Sequence, residues 1–175
     1  MGLQQDIGYV ARRPNAVQRA LQRIVAIPAL SPILSRLVTP VDRALHRMTS
    51  GRASVSSGAI AFPTILLATT GARTGESRST PLAAIPCGDD LAVIASNAGT
   101  GKIPGWAYNL RANPTATISY EGRVAAVAVR EAEVAEHDEI FAAANRIYQG
   151  YAGYRERVDH QIPVFVLSSA ETRDE

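Results

Sequence analysis

From residue 59 to residue 168 most of the apolar segments are joined by tight turns and not by long crossover helices. β-Branched and apolar runs follow one another across short turns built from Gly, Asp, Asn and Pro. Ala59–Thr70 stops at Gly71, and Arg78–Cys87 stops at Gly88-Asp89-Asp90. Leu91–Ser96 enters a glycine-rich loop. Thr115–Tyr120 and Arg123–Arg130 flank Glu121-Gly122, and Ile162–Leu167 closes the series. Parallel neighbours need connections of a dozen or more residues, whereas antiparallel ones need only a turn. The spacing therefore predicts a mainly antiparallel β-barrel with flanking helices, an α+β fold dominated by strands, and not a Rossmann sheet. Two helical stretches interrupt the strands, Trp106–Ala112 ahead of Asn113-Pro114 and Glu136–Tyr148.

The N-terminal part has a different texture. Val17, Ala20, Leu21, Ile24 and Val25 follow helical spacing until Pro28 and Pro32. Ile33, Leu34, Leu37 and Val38 begin a second helix. Thr39-Pro40-Val41-Asp42 carries a cap, a first-turn proline and a first-turn acid. Gly51–Gly58 reads as a linker. The expected organisation is a helical leader and linker over 1–58, a barrel domain over 59–168 and a tail over 169–175. Residues 1–50 hold seven Arg against Asp6 and Asp42, so the leader is basic and amphipathic. That pattern suits an interfacial helix on the inner face of a membrane, and equally a helix packed on the barrel or on a second copy in a homodimer. The acidic residues between Glu131 and Glu139 read as a solvated loop and helix start.

Composition narrows the function. A net charge of +2 excludes a protein that coats nucleic acid. The single cysteine, Cys87, forms no internal disulfide and indicates a reducing compartment; at a strand end it reads as a buried, inert thiol. No apolar run approaches the ~20 residues of a membrane span, and arginines break any signal-peptide pattern, so a cytoplasmic location is expected. His46, His137 and His160 are too scattered for a metal site. No Walker loop, G-x-G-x-x-G fingerprint or G-x-S-x-G elbow is present.

Three stretches carry chemistry. Thr69 to Pro81 joins two strands with more Gly, Thr and Arg than a hairpin needs. Glycine lets amide groups crowd round an anion, and Arg73 and Arg78 offer forked donors, although a plain hairpin with solvated arginines has the same composition. Ser96 to Leu110 takes a strand through a long glycine loop into a short helix. Small residues let a flat ring approach; Trp106 supplies a face and Ser96, Asn97 and Asn109 polar tips. The alternative there is Trp106 and Leu110 as core anchors with Asn109 capping the backbone. Tyr148, Tyr151 and Tyr154 recur every three residues, either as an aromatic wall with phenolic donors under a glycine-hinged lid or as packing between a helix and the barrel.

Together these stretches resemble the deazaflavin-dependent nitroreductase family. The matching pieces are T-T-G-x-R-x-G-x-x-R-x-T-P-L (Thr69 to Leu82), S-N-x-G with P-x-W-x-x-N-L-x-A-N-P (Ser96 to Pro114), and Y-x-x-Y-x-x-Y with I-P-V-x-V-L (Tyr148 to Leu167). The resemblance implies a split β-barrel of the flavin-reductase type and coenzyme F420 as cofactor. It implies a hydride passed from reduced F420 to a small-molecule acceptor, quinone-like or nitro-aromatic. It also implies that Arg73, Thr74, Gly75 and Arg78 hold the anionic tail and phosphate. Pro81, Ser96, Asn97, Trp106 and Asn109 would line the deazaflavin, and Ser96, Tyr148, Tyr151 and Tyr154 would be the catalytic residues facing the acceptor. Ser77, Ile103 and Ala107 depart from common residues of the family. An FMN-dependent reductase of similar fold, and a non-enzymatic binder of a deazaflavin or lipid, are the competing readings.

Overall fold

The computed structural model describes residues 2–10, 64–148, 150–155, 158 and 160–170. The expected leader helices, the linker and the start of the first strand fall between residues 11 and 63, outside the described residues, as do residues 171–175. The strands are β1 (Thr64–Thr70), β2 (Ser77–Ala83), β3 (Ile85–Cys87), β4 (Asp90–Ile94), β5 (Thr115–Tyr120), β6 (Arg123–Glu131) and β7 (Val164–Ser169). The helices are α1 (Leu3–Asp6), α2 (Gly105–Ala112), α3 (Val134–Ile147) and α4 (Gly150–Arg155).

The strands form one antiparallel sheet in the order β2-β1-β5-β6-β7-β4-β3. Its two edge strands are consecutive in the chain, separated only by Ala84. The predicted single strand over 78–87 is thus two strands, one serving each edge. β2 runs along β1 (Thr64↔Ala83 through Thr70↔Ser77), and β3 runs along β4 (Ile85↔Ala92). A strand that changes partner mid-course draws both edges of a twisted sheet together, and the sheet becomes a split barrel. Ala84 is fully buried at the change-over, and its carbonyl accepts a hydrogen bond from the Tyr9 hydroxyl at 2.7 Å.

Strand alternation feeds two cores. Leu91, Val93, Phe165 and Leu167 point into the barrel with Ile65, Leu67, Ile118, Val127 and Val129. Their neighbours Ala92, Ile94, Val164 and Val166 point outward and lie under Ile140, Phe141 and Ala144 of α3. β4 and β7 are therefore apolar on both faces, which is why their sequences read as unbroken hydrophobic runs. The β5–β6 turn places Glu121 (φ 47°) and Gly122 (φ 86°) in the left-handed region, as a two-residue hairpin loop requires.

Residues 2–10, grouped with the leader on sequence, pack into the barrel core. Leu3 and Ile7 are buried, and the Tyr9 ring lies 5.2 Å from that of Tyr120. Gln4 donates to the carbonyls of Gly88 and Asp90 at 2.8 and 2.7 Å. Removing a buried Leu side chain costs about 2–5 kcal/mol. Leu3→Ala should accordingly lower the unfolding free energy by that amount in a denaturant titration, and an unchanged midpoint would show the N-terminal segment to be dispensable.

The acidic run is the solvated loop and helix start that the sequence predicts, and its carboxylates pair with arginines at the surface. Glu131 accepts a forked bond from Arg111 (2.7 and 3.0 Å), Glu136 another from Arg130 (2.6 and 2.7 Å), and Asp138 pairs with Arg155 at 2.8 Å. Glu133 and Glu136 form the capping box of α3. The Arg130 guanidinium, and then the Glu133 amide, bring the Glu136 carboxyl from its ordinary 4.5 down to about 2. A depressed folded-state value means stability that is present above pH 4.5 and lost as the pH falls toward 2. Glu136→Gln should lose that component, so its stability should vary less than the wild type's between pH 5 and pH 2 in acid-unfolding curves.

Candidate functional site

The β1–β2 connection is a tight, hydrogen-bonded turn. Gly71 N–H donates to the Glu76 carbonyl and Gly75 N–H to the Gly71 carbonyl, both at 2.8 Å. Glu76 N–H donates to Thr74 Oγ1 at 3.3 Å. A Cβ on Gly71 would lie 2.8 Å from Thr74 Oγ1, so only glycine fits this winding. Gly75 sits at φ +69° with open space on the side where its Cβ would stand. Arg73, Thr74 and Arg78 are exposed round that opening. Arg73 makes no ion pair with any described residue. Arg78 pairs with Glu76 at 3.1 Å, and both side chains stay more than half exposed (59% and 70%). Such a surface pair contributes only about 0–1 kcal/mol, so a multiply charged anion displaces it at little cost.

Helix α2 braces this turn. Asn109 Nδ2 donates to Thr69 Oγ1 and Asn109 Oδ1 accepts from the Ala72 amide, each at 3.0 Å. Asn113 Nδ2 reaches the Thr70 carbonyl at 3.4 Å. Sequence reasoning gave Asn109 a place at the ring or a capping role; the structure shows its side chain bonded to the turn. Thr69, in the same Thr/Gly/Arg-rich stretch, is the partner that residue type alone does not single out.

β4 runs out at Ser96 into the glycine loop. Ser96 is half-buried, and Asn97 is exposed at φ 45°, a conformation that Asn tolerates better than most side chains. Asn97 Nδ2 donates to the Lys102 carbonyl at 3.1 Å and ties the loop across Gly99 and Gly101, both at positive φ. Trp106, at the start of α2, is only 7% exposed and meets the Phe165 ring edge-on at 5.7 Å, beside Leu110 in the barrel core. That is the core-anchor geometry. Pro81 is half-buried on β2, opposite Leu66.

The three tyrosines come together. Tyr148 follows α3, and Tyr151 and Tyr154 lie on α4, with ring centroids 5.7–6.3 Å apart. All three are buried against the outer face of β3, β4 and β7. Burial pushes the Tyr151 hydroxyl well above its ordinary range. Helix α4 touches the Asn97–Gly99 turn. The predicted residues therefore gather in two groups, an arginine turn with Asn109 and a Ser96–Asn97 loop with the tyrosines. Helix α2, which carries Trp106 and Asn109, follows that loop and packs on β1. Cys87 is half-buried and its thiol is raised, chiefly by burial, as an inert cysteine would be. No metal-binding cluster occurs among the described residues.

A separate cavity of about 330 Å³ opens between α3 and residues 158–162 and contains none of these residues. Its wall includes His137, which contacts Gln161 at 3.2 Å, and Arg155, paired with Asp138 and lying 5.0 Å over Phe141.

The chain matches the family model for F420H(2)-dependent quinone reductase over residues 41–169. It is 35% identical over 130 residues to an F420H(2)-dependent quinone reductase of Mycobacterium tuberculosis (strain H37Rv), covering 71% of this chain and 85% of that one. Among solved structures it is similar to an F420-H2 dependent reductase, FDR-A (35% identity, TM-score 0.56, covering 60% of this chain and 93% of the other). It is also similar to a chain described as a domain-swapped dimer (30% identity, TM-score 0.58, covering 71% and 93%).

Proposed function

The chain belongs to the family of F420H(2)-dependent quinone reductases, oxidoreductases whose cofactor is coenzyme F420, and from that premise we propose how its own residues divide the task. Membership decides between F420 and FMN, and between an enzyme and a passive binder. Reduced F420, when bound, supplies the hydride equivalent. The observation that carries the proposal is the arginine turn: two exposed guanidinium groups beside a glycine whose outer side is open, a donor set suited to a phosphate and carboxylate tail.

In this reading Arg73, Arg78 and the Thr74–Gly75 backbone bind the anionic tail. Ser96, Asn97 and Pro81 line the ring, and Trp106 holds α2 in register from inside the core. Ser96 and the phenols of Tyr148, Tyr151 and Tyr154 face an acceptor of the quinone or nitro-aromatic class. Two-electron reduction of a quinone takes one hydride and one proton. A phenol that burial keeps protonated stabilises the developing oxyanion through a hydrogen bond, and the proton is taken up from solvent as the product leaves. The tyrosine rings are buried, so an acceptor that reaches their hydroxyls does so by displacing α4, as ligands displace lid elements. Leu3, Ile7 and Tyr9 pack into the barrel core and so offer no face to a membrane surface.

Fluorescence titration with F420 tests the cofactor half. Arg78→Ala should weaken binding by about 1–3 kcal/mol, the worth of a charge-assisted contact. Unchanged affinity would remove the tail from this turn. Oxidation of reduced F420 by menadione tests the acceptor half. Tyr151→Phe should leave F420 affinity intact and slow turnover roughly 10-fold or more, as the loss of an oxyanion contact does; wild-type turnover would assign the tyrosines to packing alone.

A further inference from the structure

We propose that Thr69 and Asn109 are positioning residues for the cofactor, acting through the arginine turn and not by touching the ligand. The inference rests on the reading of that turn as the site of the anionic tail. Its basis is one continuous chain of hydrogen bonds. Asn109 Nδ2 donates to Thr69 Oγ1 at 3.0 Å, and the Thr69 hydroxyl donates onward to the Arg78 carbonyl at 3.4 Å. On its other side Asn109 Oδ1 accepts from the Ala72 amide at 3.0 Å. Ala72 immediately precedes Arg73. A single asparagine on α2 therefore pins the backbone at both arginines, one through the neighbouring amide and one through a threonine relay.

The orientation of the Asn109 amide follows from its partners, since a reversed group would aim N–H at the Ala72 N–H. Thr69 is 2% exposed, so its side chain is covered; it pairs with Arg78 in the β1–β2 ladder and shares that residue's face of the sheet. The ladder alone does not hold the turn, because Ala72 to Gly75 lie beyond its last pair, Thr70↔Ser77. Arginine side chains are long and lose much freedom when they grip an anion, so a backbone fixed in advance lowers the cost of binding.

The test uses the full chain and F420 itself, with amide hydrogen exchange of the ligand-free protein as a readout independent of activity. Asn109→Ala should speed exchange at Ala72 at least 10-fold while the melting temperature shows the barrel intact. Thr69→Val, which keeps the shape and β propensity of threonine, should raise the F420 dissociation constant roughly 5- to 50-fold, the range expected when buried hydrogen-bonding groups lose a partner. It should lower turnover at saturating cofactor by less than that. Thr69→Ser should restore binding to within about twofold, since it returns the hydroxyl. In the Thr69→Val/Arg78→Ala double variant the two losses should be strongly less than multiplicative, because one acts through the other. Wild-type affinity in Thr69→Val, beside weakened Arg78→Ala, overturns the positioning role and leaves the turn as the tail site. Weakened binding in Asn109→Ala with Ala72 exchange unchanged also overturns it, by making Asn109 a direct contact. Wild-type affinity in Arg78→Ala overturns the reading of the turn, and the positioning role with it.

Discussion

The segment from Ser77 to Cys87 belongs to both edges of the sheet, and the rest of the molecule depends on that double use. β2 pairs with β1, β3 pairs with β4, and only Ala84 lies between them. A buried residue at such a change-over has a carbonyl that no ladder claims, and an orphaned carbonyl is costly. Tyr9 supplies the missing donor from the N-terminal segment, whose Leu3 and Ile7 fill the barrel beside it. Closure, N-terminal packing and the position of β2 are therefore one interaction seen from three sides. The position of β2 in turn sets where the arginine turn begins, since Ser77 and Arg78 are its first residues.

The site follows from the same economy of elements. One half is polar and exposed: a wound turn with two guanidinium groups, braced from α2. The other half is apolar and buried: three aromatic rings over the outer face of the strands that fill the barrel. A cofactor with a charged tail and a flat redox ring needs those two environments close together, with water reaching the first and kept from the second. β4 floors the second of these, since Leu91 and Val93 build the barrel interior while Ala92 and Ile94 lie under the tyrosine cluster.

Much of this was legible in the chain. Tight turns at Gly71, Gly88 and Glu121-Gly122 predict antiparallel neighbours, and the spacing of the motifs predicts the fold family. The break at Ala84 was not legible, because an apolar run through Pro81, Leu82, Ile85 and Pro86 looks the same whether it keeps one partner or changes it. The packing of Leu3, Ile7 and Tyr9 was hidden by distance, since nothing near them in sequence is their partner. The acidic run reads as a solvated stretch at a helix start, and it is one; its surface pairing was not legible, because the partners Arg111, Arg130 and Arg155 stand up to twenty residues away. Trp106 and Asn109 stand out in the sequence, but residue type does not say whether a side chain faces a ligand, the core or its own backbone. Only the hydrogen bonds of Asn109 and the burial of Trp106 separate those cases.

A crystal structure of the chain with coenzyme F420 bound tests the central claim most directly. The tail phosphate should lie against Arg73, Arg78 and the Thr74–Gly75 peptide, with the Arg78–Glu76 pair opened and the Asn109 bonds to Thr69 and Ala72 kept. A phosphate bound elsewhere, for instance at Arg155 and His160 in the cavity beside α3, with the arginine turn unchanged, would contradict it.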